Sequence, residues 1–159
     1  MRRPRVVSGV WAVMLGACVR REAPPPPPPP PFEPVADVQQ LMRSVVDPAA
    51  DGIWDAVKTV DSAEGVVEYA PKTDTEWQAV RNHAVMVAES GNLLMMRGCA
   101  KDEPDWRRLS RALVDAGRRA LAAASVQDKD ALFDAGGQIY EACSNCHQKY
   151  LPAPAAAAP

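Results

Sequence analysis

The sequence has few aromatic side chains, little histidine and no excess of basic residues. Its 159 residues include four Trp, three Tyr, two Phe and two His, and 18 Lys and Arg stand against 20 Asp and Glu for a formal net charge of −2. Proteins that bind nucleic acid neutralise phosphates with clustered Lys and Arg. No such cluster occurs here, so we do not expect nucleic-acid binding. A core with so few aromatics would also be a light one.

Apolar runs long enough to cross a membrane are missing as well. The run Val6–Ala17 has 12 residues, whereas a spanning helix needs about 20. Because three arginines precede it within the first five residues, the start of the chain is typical of a secretory signal. The run ends in Leu15-Gly16-Ala17-Cys18, which resembles the bacterial lipobox. That resemblance implies lipidation of Cys18 after cleavage; ordinary cleavage near Ala17 is the alternative.

Proline is concentrated towards the two ends of the chain. Pro24–Pro31 are eight consecutive prolines, which we expect to form a polyproline II spacer of roughly 25 Å. Residues 152–159 are only Pro and Ala and are expected to be disordered. We therefore predict a lipoprotein-type signal peptide at 1–17, a lipid anchor and Pro-rich spacer at 18–34, a folded domain at 35–151 and a tail at 152–159.

The first part of the folded domain has apolar residues three and four positions apart, the pattern of one helical face. This pattern extends over about residues 35–60. Pro48 interrupts it, because proline cannot donate the backbone hydrogen bond to the Ser44 carbonyl. We expect a kink there, or a restart of the helix with Asp47 as its N-cap and Pro48 at its first position. Gly65 and Pro71 then mark a loop.

Three further amphipathic segments follow. The second helix is predicted over about 74–97, after the capping-box sequence Thr73–Glu76. The third begins near Asp102–Asp105 and ends near Ser125, and the fourth covers about 127–150. No segment alternates convincingly with period two, so no strand is expected. Four helices joined by short or modest loops predict an all-α fold, an antiparallel up-down-up-down four-helix bundle.

The fourth segment carries the main chemical motif. Cys143-Ser144-Asn145-Cys146-His147 has the Cys-x-x-Cys-His spacing of c-type haem attachment. The two thiols can reach the two haem vinyl groups, and the adjacent imidazole can reach the iron. A redox disulfide of the thioredoxin type expects a βαβ setting, which is missing. A zinc site needs four ligands, and Cys99 and His83 form no second half-site. The motif therefore predicts one covalent haem c per chain.

The location of this motif at the end of the last helix resembles the class II c-type cytochromes, the cytochrome c-prime and cytochrome c-556 group. The resemblance covers about residues 35–151 and includes the Cys-x-x-Cys-His-x-x-aromatic ending at Tyr150. It implies a bundle that encloses one covalently bound haem near the C-terminal end of helix four. It also implies that Cys143 and Cys146 form the thioethers, that His147 is the proximal iron ligand, and that a homodimer is allowed.

The function implied by the resemblance depends on the sixth iron position. In the c-556 kind a Met of the first helix ligates the iron, whereas in the c-prime kind a non-ligating apolar residue leaves it five-coordinate. Gln39–Arg43 is similar to the stretch that carries this Met, so Met42 is the expected sixth ligand. In an antiparallel bundle the haem lies near the end of helix two and the start of helix three. The expected pocket residues are Leu94, Met95, Trp106 and Tyr150, with Met95 or Met96 as the alternative ligand.

Two further residues have no assigned role in this site. His83 precedes Met95 by 12 residues, about 18 Å along a helix, and is interpreted as a structural histidine with its hydrogen bonds satisfied. Cys99 is an odd cysteine in an exported protein. It could form an intermolecular disulfide or contact the haem pocket. We interpret it as a partly buried free thiol.

Taken together, the patterns and the resemblance predict a monohaem cytochrome rather than an enzyme. We expect it in the bacterial periplasm, attached to a cell-envelope membrane through a lipid on Cys18. There it would exchange single electrons with a redox partner protein in the envelope. The alternative is a five-coordinate protein that binds nitric oxide or carbon monoxide beside Met42, Val45 and Leu94. A peroxidase has little support, because neither a second haem motif nor a distal His and Arg pair can be placed.

Overall fold

The computed structural model describes residues 34–151 of the chain. The predictions for the signal peptide, Cys18, the proline spacer and the Pro/Ala tail lie outside these residues. Helix makes up 70% of the structure, in four helices, with little strand, which confirms the all-α class. Within residues 34–151, no helix is both long and apolar enough to cross a membrane.

The first helix consists of three consecutive segments. These are α1 (Val38–Leu41), a π-helical turn (Met42–Val46) and α2 (Asp47–Ala56). In a regular α-helix the ring of Pro48 would clash with the carbonyl of Ser44. The π turn widens the backbone just before Pro48, and the Asp47 N–H bonds to the Met42 carbonyl. The interruption expected at Pro48 is therefore a change of helical register. The alternative with Asp47 as N-cap is wrong, because Asp47 is the first residue of α2 and makes no capping hydrogen bond there.

A β-hairpin follows α2, where the sequence patterns predicted the end of the first helix and a loop. Strands β1 (Lys58–Ser62) and β2 (Gly65–Tyr69) pair antiparallel, with Val60 opposite Val67. The expectation of a helix to about residue 60 and of no strand is wrong. β-Branched and aromatic residues favour an extended backbone, and Gly65 adopts a φ of +122° at the turn, which suits glycine.

The remaining helices are α3 (Asp74–Leu94), α4 (Asp105–Ser125) and α5 (Lys129–Tyr150). The predicted capping box is present, because the Thr73 hydroxyl accepts from the Glu76 N–H at 3.2 Å and the Glu76 carboxylate accepts from the Thr73 N–H at 2.9 Å. Hydrogen bonds from the backbone N–H groups of Lys72 and Thr73 lower the pKa of Glu76. Helix α3 ends three residues earlier than predicted, and α4 and α5 begin within two residues of their predicted starts.

Close contact between α3 and α4 organises the core. A Cβ atom on Gly117 would lie 2.5 Å from the backbone nitrogen of Ala88, and one on Gly91 would lie 2.7 Å from the Ser110 carbonyl oxygen. Helix α4 also packs on α5, and α2 packs on α3. Trp54 spans from α2 to α5, since its Nε1–H donates to the Gly136 carbonyl at 3.0 Å. The largest fully buried hydrophobic side chains are Ile53, Val87, Leu132 and Ile139.

This packing predicts opposite effects for two glycine substitutions in neighbouring helices. Gly117→Ala forces α3 and α4 apart and should lower the free energy of unfolding by about 1–3 kcal/mol. Gly137→Ala is the matched control, because a Cβ there meets no atom within 4 Å. It should raise the free energy of unfolding by roughly 0.5–1 kcal/mol through helix propensity. Chemical denaturation of both variants measures the difference; equal effects would contradict the packing described.

Candidate functional site

A small cavity lies where the end of α5 meets α3, α4 and the first helix. Its volume is about 30 Å³. Most of the side chains around it are apolar or contain sulfur. The lining residues are Met42, Val46, Asp47, Leu94, Leu109, Ser110, Leu113, Ala142, Cys143, Cys146 and His147. Residues distant in sequence thus meet at the Cys-x-x-Cys-His motif.

The structure brings together most of the residues singled out from the sequence. Cys143, Cys146 and His147 line the cavity from α5, and Met42 and Leu94 line it from the first helix and α3. Three predicted pocket residues are not part of this lining: Met95, Trp106 and Tyr150. Met95 is half-buried just after the last residue of α3, and Trp106 is buried at the start of α4. The rings of Trp106 and Tyr150 pack edge to face, with centroids 4.8 Å apart.

The two motif cysteines are free and half-buried. Burial raises the pKa of the Cys143 thiol above its ordinary value of 9.0, and the charge of Asp47 raises it further. Burial also raises the pKa of Cys146. Both residues are therefore protonated thiols at neutral pH. Thiolate is the reactive form in disulfide exchange, so these thiols are poorly poised for redox disulfide chemistry.

Two side-chain contacts fix the last turn of α5. The Tyr150 hydroxyl donates to the Asp102 carboxylate, and Lys149 forms an ion pair with Asp105 at the start of α4. Partial burial and the bond to Asp102 raise the pKa of Tyr150 to about 12. The hydrogen bond and charge of Lys149 lower the pKa of Asp105. These contacts hold the turn that contains His147 against the α3–α4 connection.

Trp106, which is buried, links the start of α4 to the end of α3. Its Nε1–H donates to the carbonyl oxygen of Leu94 at 2.6 Å, which joins the first turn of α4 to the last residue of α3. Sequence reasoning missed the roles of Asp102, Asp105 and Lys149. The sequence did offer a clue to these contacts. The bundle prediction placed the end of the fourth helix (α5) near the start of the third helix (α4), where acidic and basic side chains could pair.

Asp47 was also missed as a residue of the site. It directly precedes Pro48, and the sequence alone indicates only a helix N-cap at this position. The π turn places it at the cavity, and such a change of register gives no periodic signal in the sequence. Asp47 is the single carboxylate among the residues that line this cavity.

The donor set fits a covalently attached haem. Two thiols at the required spacing, one imidazole and one thioether line a single apolar cavity, and these are the groups used in c-type cytochromes. The volume of about 30 Å³ is room for one or two water molecules, so a porphyrin is accommodated only when the surrounding side chains move apart. Within residues 34–151, no three His, Cys, Asp or Glu side chains are grouped so that they could hold a metal ion.

The two residues without an assigned role lie outside this cavity. The ring of His83 packs against Gly52, where a Cβ would lie 1.8 Å from its Nδ1 atom. That Nδ1 is buried without a hydrogen-bond partner in the described part of the chain, so the expectation that its hydrogen bonds are satisfied is wrong. Cys99 is a buried free thiol whose sulfur lies 4.0 Å from the Ala36 carbonyl oxygen.

Comparisons of the chain with protein-family models, with curated proteins and with solved structures found no match. The functional interpretation of the cavity therefore rests on its residues and their contacts.

The site predicts that the two motif thiols respond differently when the charge of Asp47 is removed. Asp47→Asn removes the negative charge beside Cys143 and should speed alkylation of that thiol at pH 8, because the pKa falls and more thiolate is present. Cys146 should respond less, since burial alone raises its pKa. Mass spectrometry of the haem-free protein during timed alkylation measures each rate. Equal acceleration at both thiols, or none, would contradict the placement of Asp47.

Proposed function

We propose that the chain is a monohaem c-type cytochrome that transfers single electrons. The observation that carries this proposal is the convergence of four donor side chains on one apolar cavity. Cys143, Cys146 and His147 come from the last turns of α5, and Met42 comes from the first helix, about 100 residues away in sequence. A chance Cys-x-x-Cys-His sequence would have no reason to share a cavity with a thioether from a distant helix.

Each donor has a defined role in this proposal. Cys143 and Cys146 would hold haem through two thioethers, each made by addition of an S–H across a vinyl group, with sulfur on one carbon, hydrogen on the other and no net oxidation. His147 would bind the iron through its imidazole, and Met42 would bind it through its thioether sulfur. When bound, haem supplies an iron that accepts and releases one electron. Ligation by Met favours the reduced state and raises the potential.

The contacts at the ends of the helices support the arrangement as an antiparallel four-helix bundle. Trp106 at the start of α4 bonds to Leu94 at the end of α3. Tyr150 at the end of α5 bonds to Asp102 just before α4. Met42, near the start of the first helix, shares a cavity with these ends. In an antiparallel bundle these four ends lie together, and a cofactor there would lie between facing helices.

The sequence outside the described residues extends the proposal to location. A signal with a lipobox-like Cys18 and an octaproline spacer would attach the domain to a cell-envelope membrane on the periplasmic side. The partner would be a redox protein of the envelope. The resemblance to class II cytochromes also allows a homodimer.

Covalent attachment is the most direct prediction of the proposal. Protein exported in a bacterial host that matures c-type cytochromes should keep one haem per chain in a denaturing gel, detected by haem staining. Cys143→Ser/Cys146→Ser should lose the stain completely, because no thioether remains. Cys99→Ser is the matched control and should keep it. Absence of stain in the parent protein would overturn the proposed function.

The sixth ligand gives a second prediction. Met42→Ala should convert the ferric absorption spectrum from low spin to high spin and create carbon monoxide binding, because the iron would lose the thioether ligand. Met95→Ala is the control and should stay low spin, since Met95 does not line the cavity. A parent protein that is already high spin and binds carbon monoxide would instead identify the five-coordinate gas-binding alternative.

A further inference from the structure

The π turn changes which side chains share a face of the first helix. In an α-helix, five residues rotate through about 500°, which leaves residues 42 and 47 roughly 140° apart. In the π turn the Asp47 N–H bonds to the Met42 carbonyl, so the two residues stack one above the other. Both consequently line the same cavity. π turns within α-helices occur frequently at functional sites.

The charge of Asp47 has no counterpart around the cavity. The lining contains no Lys or Arg and no second carboxylate, and its other members are apolar or contain sulfur, except Ser110 and His147. The effect of Asp47 on the pKa of Cys143 shows that its charge reaches the cysteine side of the cavity. A fixed negative charge beside a redox centre interacts more favourably with the more positive oxidation state.

We propose that Asp47 tunes the reduction potential of the haem site, holding it below the value that the His147 and Met42 ligands would otherwise set. This inference rests on the proposed function. Reduction of ferric to ferrous iron adds one electron, supplied by the redox partner protein, and lowers the charge of the centre by one. Asp47 disfavours that step through repulsion. It therefore opposes Met42, five residues earlier at the start of the π turn, whose thioether favours the reduced state.

The expected size of the effect follows from Coulomb's law. For two unit charges roughly 10 Å apart, about one helix diameter, effective dielectric constants between ~80 and ~20 change the equilibrium constant for reduction by about two- to fifteenfold. Asp47 is exposed to solvent, so salt should screen its charge. The effect should consequently shrink as ionic strength rises.

The test is redox titration of the full-length haem-loaded protein, followed by its absorption spectrum. Asp47→Asn should raise the potential by an amount that corresponds to a two- to fifteenfold change in the equilibrium constant, and 1 M salt should reduce that difference. Asp51→Asn removes the same charge about one helical turn farther from the cavity, where Asp51 is exposed and not part of the lining. On the same Coulomb relation it should shift the potential by about two thirds as much, because one helical turn adds about 5.4 Å to the distance.

Asp47→Glu separates charge from packing. It keeps the carboxylate and should keep the parent potential within twofold in equilibrium constant. Any one of three results would overturn the inference. These are an unchanged or lower potential in Asp47→Asn, an equal shift in Asp51→Asn, and a raised potential in Asp47→Glu. These outcomes differ from failure of the proposed function, which would appear as a parent protein without covalent haem.

Discussion

The close approach of α3 to α4 is the constraint on which the rest of the structure depends. Gly91 and Gly117 let the two backbones meet where even a methyl group would clash. Because the helices are so close, they form one wall of the cavity together. Its residues are Leu94 from α3 and Leu109, Ser110 and Leu113 from α4. The bond from Trp106 to the Leu94 carbonyl fixes the end of that wall. Small residues thus let these two helices approach each other closely.

The opposite wall of the cavity depends on an irregular backbone. Pro48 cannot donate to the Ser44 carbonyl, and the helix responds with a π turn at Met42–Val46. This turn delivers a thioether and a carboxylate to the same cavity. Helix α5 approaches between the two walls, and Lys149 and Tyr150 hold its last turn in place. The cavity is thus bounded by the regular helices α3 and α4, by the irregular first helix and by the end of α5.

Much of the fold could be predicted from the sequence because long segments repeat one physical pattern. Helices α3, α4 and α5 have sustained three-and-four spacing, and Thr73 and Glu76 form the capping box that their spacing indicates. The hairpin could not be predicted in this way. Its strands are exposed along their whole length, so neither face is selected for apolar residues and no alternation results.

The candidate site was predictable in part for a similar reason. The Cys-x-x-Cys-His spacing is a local property of one helix and can be read directly. The places of Asp47, Asp102 and Asp105 depend on a change of helical register and on contacts between distant helix ends. The buried Nδ1 of His83 depends on its close packing against Gly52. None of these tertiary relations leaves a pattern in the neighbouring residues.

The central claim is that Cys143 and Cys146 carry a covalent haem. The most direct measurement is the mass of the tryptic peptide Asp130–Lys149, which contains both cysteines and no internal Lys or Arg, prepared from the exported mature protein. The proposal predicts a peptide heavier by one haem with no alkylatable thiol. A peptide of unmodified mass, with two free thiols or a Cys143–Cys146 disulfide, would contradict it.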